Sequence, residues 1–201
     1  MARHEGAQDA GLTEEQGKAL LWLARETIAR QLGMEAHEPG TEIAARLRDA
    51  ELQEKRGTFV TLKEHGDLRG CIGSLAAMDP IVEGVKRNAR HAAFEDSRFN
   101  PVGKNELSAI EVEVSILTEP ARLAYANAEE LLCALQVGLD GVIIRKGMQG
   151  ATFLPQVWEQ LPDPKDFLSH LCRKAGLPAD AWQSGTLEVS TYRVQYFEEH
   201  G

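Results

Sequence analysis

The sequence predicts an α+β protein, a mostly antiparallel sheet with helices packed on it. Three observations predict it. Segments with β-type composition come in pairs joined by short glycine-bearing turns, helical patterns are inserted singly, and no regular βαβ alternation runs through the chain. The 201 residues suit one large domain or two small lobes sharing a core, and no residue pattern draws a boundary between lobes.

The elements follow in order. Met1 to Leu12 is polar and reads as a flexible tail. Thr13-Glu14-Glu15-Gln16 has capping-box spacing, Leu20, Leu23, Ala24, Thr27, Ile28 and Leu32 recur at helical intervals, and Gly33 ends the run. After Pro39-Gly40 a short helical pattern covers Ile43 to Ala50. Thr58 to Leu62 is β-branched and aromatic, His65-Gly66-Asp67 supplies a turn, and Leu68 to Leu75 returns as the second strand of a hairpin. Asp79 is expected to cap a helix that has Pro80 in its first turn and Ile81, Val85, Ala89, Ala92 and Ala93 as its buried stripe. Phe94 to Pro101 breaks the pattern and is expected to be an ordered loop, with Phe99 and Pro101 as its anchors.

Ile110, Val112, Val114 and Ile116 alternate with polar residues, a half-buried strand. Asn127 starts a helix that runs to about Val137. Val142 to Arg145 and Ala151 to Leu154 flank a glycine-bearing turn and form a second hairpin. Asp163-Pro164 opens a helix carrying Phe167, Leu168 and Leu171, which Gly176 stops. Leu187 to Phe197 reads as one long final strand.

Composition excludes several classes. With 43% hydrophobic and 26% charged residues the chain can fill a core, so disorder is not expected. Its apolar runs fall far short of the ~20 residues that cross a bilayer. The first dozen residues lack the apolar stretch of a secretory signal, and three scattered cysteines make no disulfide framework, so a reducing cytoplasm is expected. The formal charge of -9 argues against nucleic acid as partner, and basic residues gather only locally, as at Arg46/Arg48 and Lys86/Arg87/Arg90. No Cys-x-x-Cys or metal-type His/Cys cluster is present, so neither metal nor cofactor is expected.

Chemistry concentrates at Leu68-Arg69-Gly70-Cys71-Ile72-Gly73-Ser74. Strand alternation puts Arg69, Cys71 and Gly73 on one face and Gly70, Ile72 and Ser74 on the other. A guanidinium beside a thiol favours the thiolate, and glycines let a ligand approach the backbone. Cys71 is the candidate nucleophile; Arg69, Gly70, Gly73 and Ser74, with Asp96 and Arg98 of the loop, are candidate substrate-binding residues. The competing reading makes Cys71 a small core hydrophobe, the glycines marks of a bulge or of tight packing, and Asp96/Arg98 a structural bridge. His65 and His91 are weaker candidates for a base serving Cys71.

The same segment resembles the signature of the AMMECR domain family, also called AmmeMemoRadiSam system protein A. The resemblance continues through Ala93 to Pro101, Glu113 to Leu117, Gly138 to Gly141, Ala151 to Val157, Phe167 to Ala175 and Tyr192, so that residues 13–199 read as one AMMECR domain. Ser74 stands where the family usually has threonine and keeps the hydroxyl. The resemblance implies a larger and a smaller lobe, with the signature near a cleft between them. It also implies two partners, a Memo-type protein and a radical S-adenosylmethionine (SAM) enzyme. The family has no settled activity, so two expectations stand side by side. One is a Cys71-centred enzyme or accessory subunit acting on a small substrate; the other is a non-catalytic protein-binding or regulatory module.

Overall fold

The computed structural model describes residues 11–199, and the tail expected over residues 1–12 lies outside them except for Gly11 and Leu12. The described chain runs α1 (Glu14–Gln31), α2 (Thr41–Arg46), β1 (Thr58–Glu64), β2 (Asp67–Ser74), α3 (Ile81–Phe94), β3 (Ile110–Leu117), β4 (Ala121–Arg122), α4 (Ala128–Ala134), β5 (Gly141–Lys146), β6 (Gln149–Phe153), α5 (Pro164–Lys174), β7 (Glu188–Tyr192) and β8 (Val194–Glu198). Five helices and two four-stranded sheets among these residues confirm the α+β class. The described residues up to Leu117, with those from Gln195 onward, form one compact unit, and Thr118–Val194 form a second.

In the first unit the sheet order is β2-β1-β3-β8, and β1 runs antiparallel to both β2 and β3. Thr58, Val60 and Leu62 point to one face and are buried. They meet α3, whose Ile81, Val85, Ala89, Ala92 and Ala93 are all buried as the spacing predicts. The polar Asn88 on that stripe is satisfied by the carbonyl and hydroxyl of Thr58, at 2.9 and 2.8 Å. The hairpin turns through His65 and Gly66 alone, with φ of 53° and 86°, the pair of positive values that a type I′ turn requires.

The capping box at Thr13 forms in both directions, so α1 starts where the sequence places it. Leu12 is tied down as well: its amide donates to Gln195 Oε1, and its carbonyl accepts from Gln195 Nε2. The start of α3 differs from expectation. Pro80, not Asp79, is the N-cap residue. The Ile81 amide is taken by the Glu54 carbonyl at 2.9 Å, which leaves the Asp79 carboxylate to pair with Arg87.

The second unit has sheet order β4-β7-β5-β6. Its core stacks Trp158 on Phe167 with centroids 3.6 Å apart, and Phe153 meets Phe167 edge-on at 5.3 Å. Asp163 caps α5 through the amides of Lys165 and Asp166. Gly176, with φ of 75°, ends the helix while the Leu177 amide reaches back to Cys172.

The expected long final strand is two strands in two sheets, β7 and β8, broken at Arg193. The Arg193 carbonyl accepts from the Thr118 amide and the Arg193 amide donates to Thr118 Oγ1, while the guanidinium reaches Asp140 and Gln136. Polar anchoring at that one residue diverts a run whose composition is β-type throughout. The two-residue β4 carries no periodicity and was invisible to pattern reading.

Gly17 inside α1 and Gly40 ahead of α2 make contrasting tests of packing. Alanine normally gains about 1 kcal/mol over glycine inside a helix. At Gly17, however, a Cβ would stand 2.1 Å from the buried Phe197 ring, whereas at Gly40 nothing lies within 4 Å. Gly17→Ala is expected to lose about 1–3 kcal/mol in urea unfolding, and Gly40→Ala to stay within about 0.5 kcal/mol of the parent.

Candidate functional site

The site is built on β2, an edge strand. Cys71 lies opposite Thr61 of β1, which lies opposite Glu113 of β3, so a thiol, a hydroxyl and a carboxylate form a row across three strands. Gly70 pairs with Leu62 and so faces α3; Cys71 therefore points to the other face, where it is half-buried. The Thr61 hydroxyl donates to Cys71 Sγ at 3.3 Å.

The register slips between Leu62 and Lys63, so Leu62 faces Gly70 while Lys63 faces Leu68, and Arg69 is the extra residue of a β-bulge. Unbroken alternation was the ground for placing Arg69 and Cys71 on one face, and it fails at this point. Arg69 turns to Glu106, with Nε and Nη2 at 3.0 and 2.9 Å from Oε1, and its guanidinium lies 5.9 Å from the Phe99 ring centroid. The Gly103 amide, ahead of the Arg69 guanidinium, holds the Glu106 carboxyl below its ordinary value against the effect of burial.

Asp96 organises the other side of the thiol. It is only 6% exposed and accepts four hydrogen bonds: from the amides of Cys71 (2.9 Å) and Arg98 (3.1 Å), and from Nε (2.9 Å) and Nη2 (2.7 Å) of Arg98. Arg98 Nη2 also donates to the Cys71 carbonyl at 3.1 Å. Both backbone groups of Cys71 are thus held by one loop. The Arg98 guanidinium above all, then the two amides, holds the Asp96 carboxyl well below the usual carboxylate range, although burial pushes the other way. Val102 pins the loop: it is buried, and its amide bonds the Ala93 carbonyl at 2.8 Å. Pro101, expected as an anchor, is exposed, and Phe99 is half-buried beneath Arg98, 5.4 Å from its ring centroid.

The glycines serve packing. A Cβ at Gly70 would stand 2.3 Å from the Ala92 carbonyl oxygen, and one at Gly73 would stand 2.2 Å from the Phe59 ring. On the side where a side chain would project, the space is filled by the protein itself. Ser74 accepts from the Ala76 amide at 3.1 Å and closes the turn after β2. His91 lies 3.6 Å from Glu95, His65 is in the hairpin turn, and no histidine among the described residues bonds Sγ of Cys71. No group of three or more metal-ligating side chains gathers among the described residues.

Thr61 and Glu106 were missed by sequence reading. Pairing the predicted hairpin residue by residue would have found Thr61; nothing in the local pattern singles out Glu106.

Asp96 gives the site a pH signature. Its pKa is depressed in the folded state, so its contribution is complete above the unfolded value near 4 and is lost as pH falls below it. Asp96→Ala, which leaves the Cys71 and Arg98 amides without their acceptor, is expected to cost about 2–4 kcal/mol at neutral pH. Asp96→Asn should flatten the loss of stability in the same acid range, read from urea midpoints at stepped pH.

Comparison with known proteins places this geometry in a family. The family model described as AMMECR1 matches residues 21–197. The protein MK0488 of Methanopyrus kandleri is 40% identical over 196 residues, covering 94% of this chain and 90% of its own. Mbar_A1807 of Methanosarcina barkeri is 43% identical over 189 residues, covering 94% and 92%. The crystal structure of the uncharacterised protein PH0010 of Pyrococcus horikoshii superposes with a TM-score of 0.76 at 36% identity, over 94% of both chains. With a family model across most of its length and relatives matched nearly end to end, this chain belongs to the AMMECR1 family.

Proposed function

We propose that this chain works through Cys71, as nucleophile or covalent carrier of a small substrate, either as an enzyme or as an enzyme's accessory subunit. One observation carries the reading: a half-buried thiol on an edge strand has both its backbone groups fixed by the Asp96/Arg98 loop, while a hydroxyl donor is aimed at its sulfur. Such fixation presents Sγ in one position, the preorganisation that covalent catalysis requires.

In the step envisaged, Sγ bonds to an electrophilic carbon of the substrate, the bond from that carbon to its leaving group breaks, and the thiol proton departs with the leaving group. Thr61 is placed to meet negative charge developing on sulfur. Arg98, whose side chain is 54% exposed, is the group able to contact a substrate; Asp96, with its oxygens engaged, positions Arg98 and the Cys71 backbone. Arg69 at the bulge and Ser74 at the strand end frame the site. Gly70 and Gly73 belong to it by keeping the strand close to its neighbours. The reading assigns the chain no metal or cofactor of its own. The family resemblance supplies its expected company in the cytoplasm, a Memo-type protein and a radical SAM enzyme. No helix among the described residues is long and apolar enough to cross a membrane.

Alkylation with iodoacetamide in a Cys133→Ser background tests this, because Cys133 is exposed and would label first. Cys71 is expected to react in the folded protein, and Thr61→Val to slow it several-fold. Cys172, whose thiol is pushed up by burial, should react only on unfolding. Labelling of Cys71 confined to the unfolded chain would remove the nucleophile. The non-catalytic alternative gains if Cys71→Ser leaves partner capture and product formation intact.

A further inference from the structure

A second concave surface in the first unit is lined by residues that the Cys71 reading does not use. A groove of about 820 Å³ runs along α1 and α3, and a hollow of about 430 Å³ adjoins it, sharing Leu23, Glu83 and Lys86. It shares no lining residue with the Cys71 site. Five cations line the pair: Arg30, Arg48, Lys86, Arg87 and Arg90. Three carboxylates face them, Glu26, Glu38 and Glu83. The lining itself thus carries two more cations than carboxylates on a chain of formal charge -9, with Asp79 and Glu95 outside the lining pairing Arg87 and Arg90.

The internal pairing of these cations is uneven. Arg30 is held by the buried Glu26 at 2.9 Å, and Arg87 is held by Asp79. Lys86 has only the exposed Glu83 one helical turn away, and Arg90 is 3.7 Å from the exposed Glu95. Arg48 has no ion-pair partner among the described residues. Exposed pairs of this kind contribute little, so an incoming carboxylate replaces them at small cost. Half-buried Trp22 rests on the core and lines the same groove, an aromatic anchor beside arginines, the residue types that dominate protein contacts.

We propose that the α1/α3 groove is a docking site for an acidic peptide segment of a partner protein, with Lys86, Arg90 and Arg48 taking its carboxylates and Trp22 an apolar side chain. A peptide fits better than a nucleic acid. Spaced carboxylates can avoid Glu38 and Glu83, whereas a continuous phosphate backbone must pass them.

Fluorescence anisotropy on the full chain tests the assignment. The probe is a short fluorescein-labelled peptide rich in glutamate, with leucine at every fourth position. A lysine-for-glutamate peptide and a labelled single-stranded oligonucleotide of equal charge serve as comparators. The glutamate peptide is expected to bind saturably, more weakly as salt is raised, and the lysine peptide not to bind. Lys86→Glu/Arg90→Glu should weaken binding about tenfold with an unchanged circular dichroism spectrum; should that pair disturb folding, Lys86→Gln/Arg90→Gln carries the same test with a smaller drop. Absence of saturable binding, or equal binding by folded variant and parent, overturns the proposal. Tighter binding of the oligonucleotide than of the peptide overturns it in favour of nucleic acid.

Discussion

A carboxylate buried to 6% exposure must be neutralised or surrounded by donors, because an unpaired charge in the interior is expensive. Asp96 meets that requirement with two backbone amides and two guanidinium nitrogens, and the consequences extend well past the pair itself. One of the amides belongs to Cys71 on an edge strand, and the guanidinium goes on to the Cys71 carbonyl. Edge strands present unpaired backbone groups that invite unwanted pairing. Here a loop caps them at Cys71, using side chains where another strand would use its backbone.

Two further constraints act on the same residue. Beneath it, β2 approaches α3 so closely that Gly70 has no room for a Cβ against the Ala92 carbonyl. Beside it, Thr61 of β1 holds the register and donates to the sulfur. The backbone of Cys71 is therefore fixed along the edge, from below and from the neighbouring strand. Its side chain projects from the face opposite α3. A glycine requirement that looks like ligand clearance in the sequence is what brings strand and helix together.

Much of this is legible in the sequence. The capping box at Thr13, the buried stripe of α3, the strand β3 and both hairpins rest on local periodicity and turn chemistry and all formed, although the alternation of β3 ends at Ser115, which is buried. The loop and the strand each stand out in the sequence, the one by charged residues beside Phe99 and Pro101, the other by glycines around a cysteine. Their meeting was not legible, because the Cys71 amide and the Asp96 carboxylate are 25 residues apart and nothing local couples them. The bulge at Arg69 and the break at Arg193 escaped for a related reason. Each is set by a long-range polar partner, Glu106 in one case and Thr118 with Asp140 in the other.

The charge balance around the thiol follows from the same long-range pairing. Arg69, whose guanidinium the sequence reading sets beside the thiol, and Arg98 of the loop are each matched by a carboxylate at hydrogen-bonding distance. Across the row, Lys63 is shared between Glu113 at 3.0 Å and Glu198 at 3.9 Å. No unbalanced cation stands beside Cys71 in this set. The hydrogen bond that the sulfur itself receives is from the Thr61 hydroxyl, an oriented dipole, while each guanidinium is already bound to a carboxylate. The arginines then hold shape, and of the two Arg98 is the one whose side chain stays largely exposed.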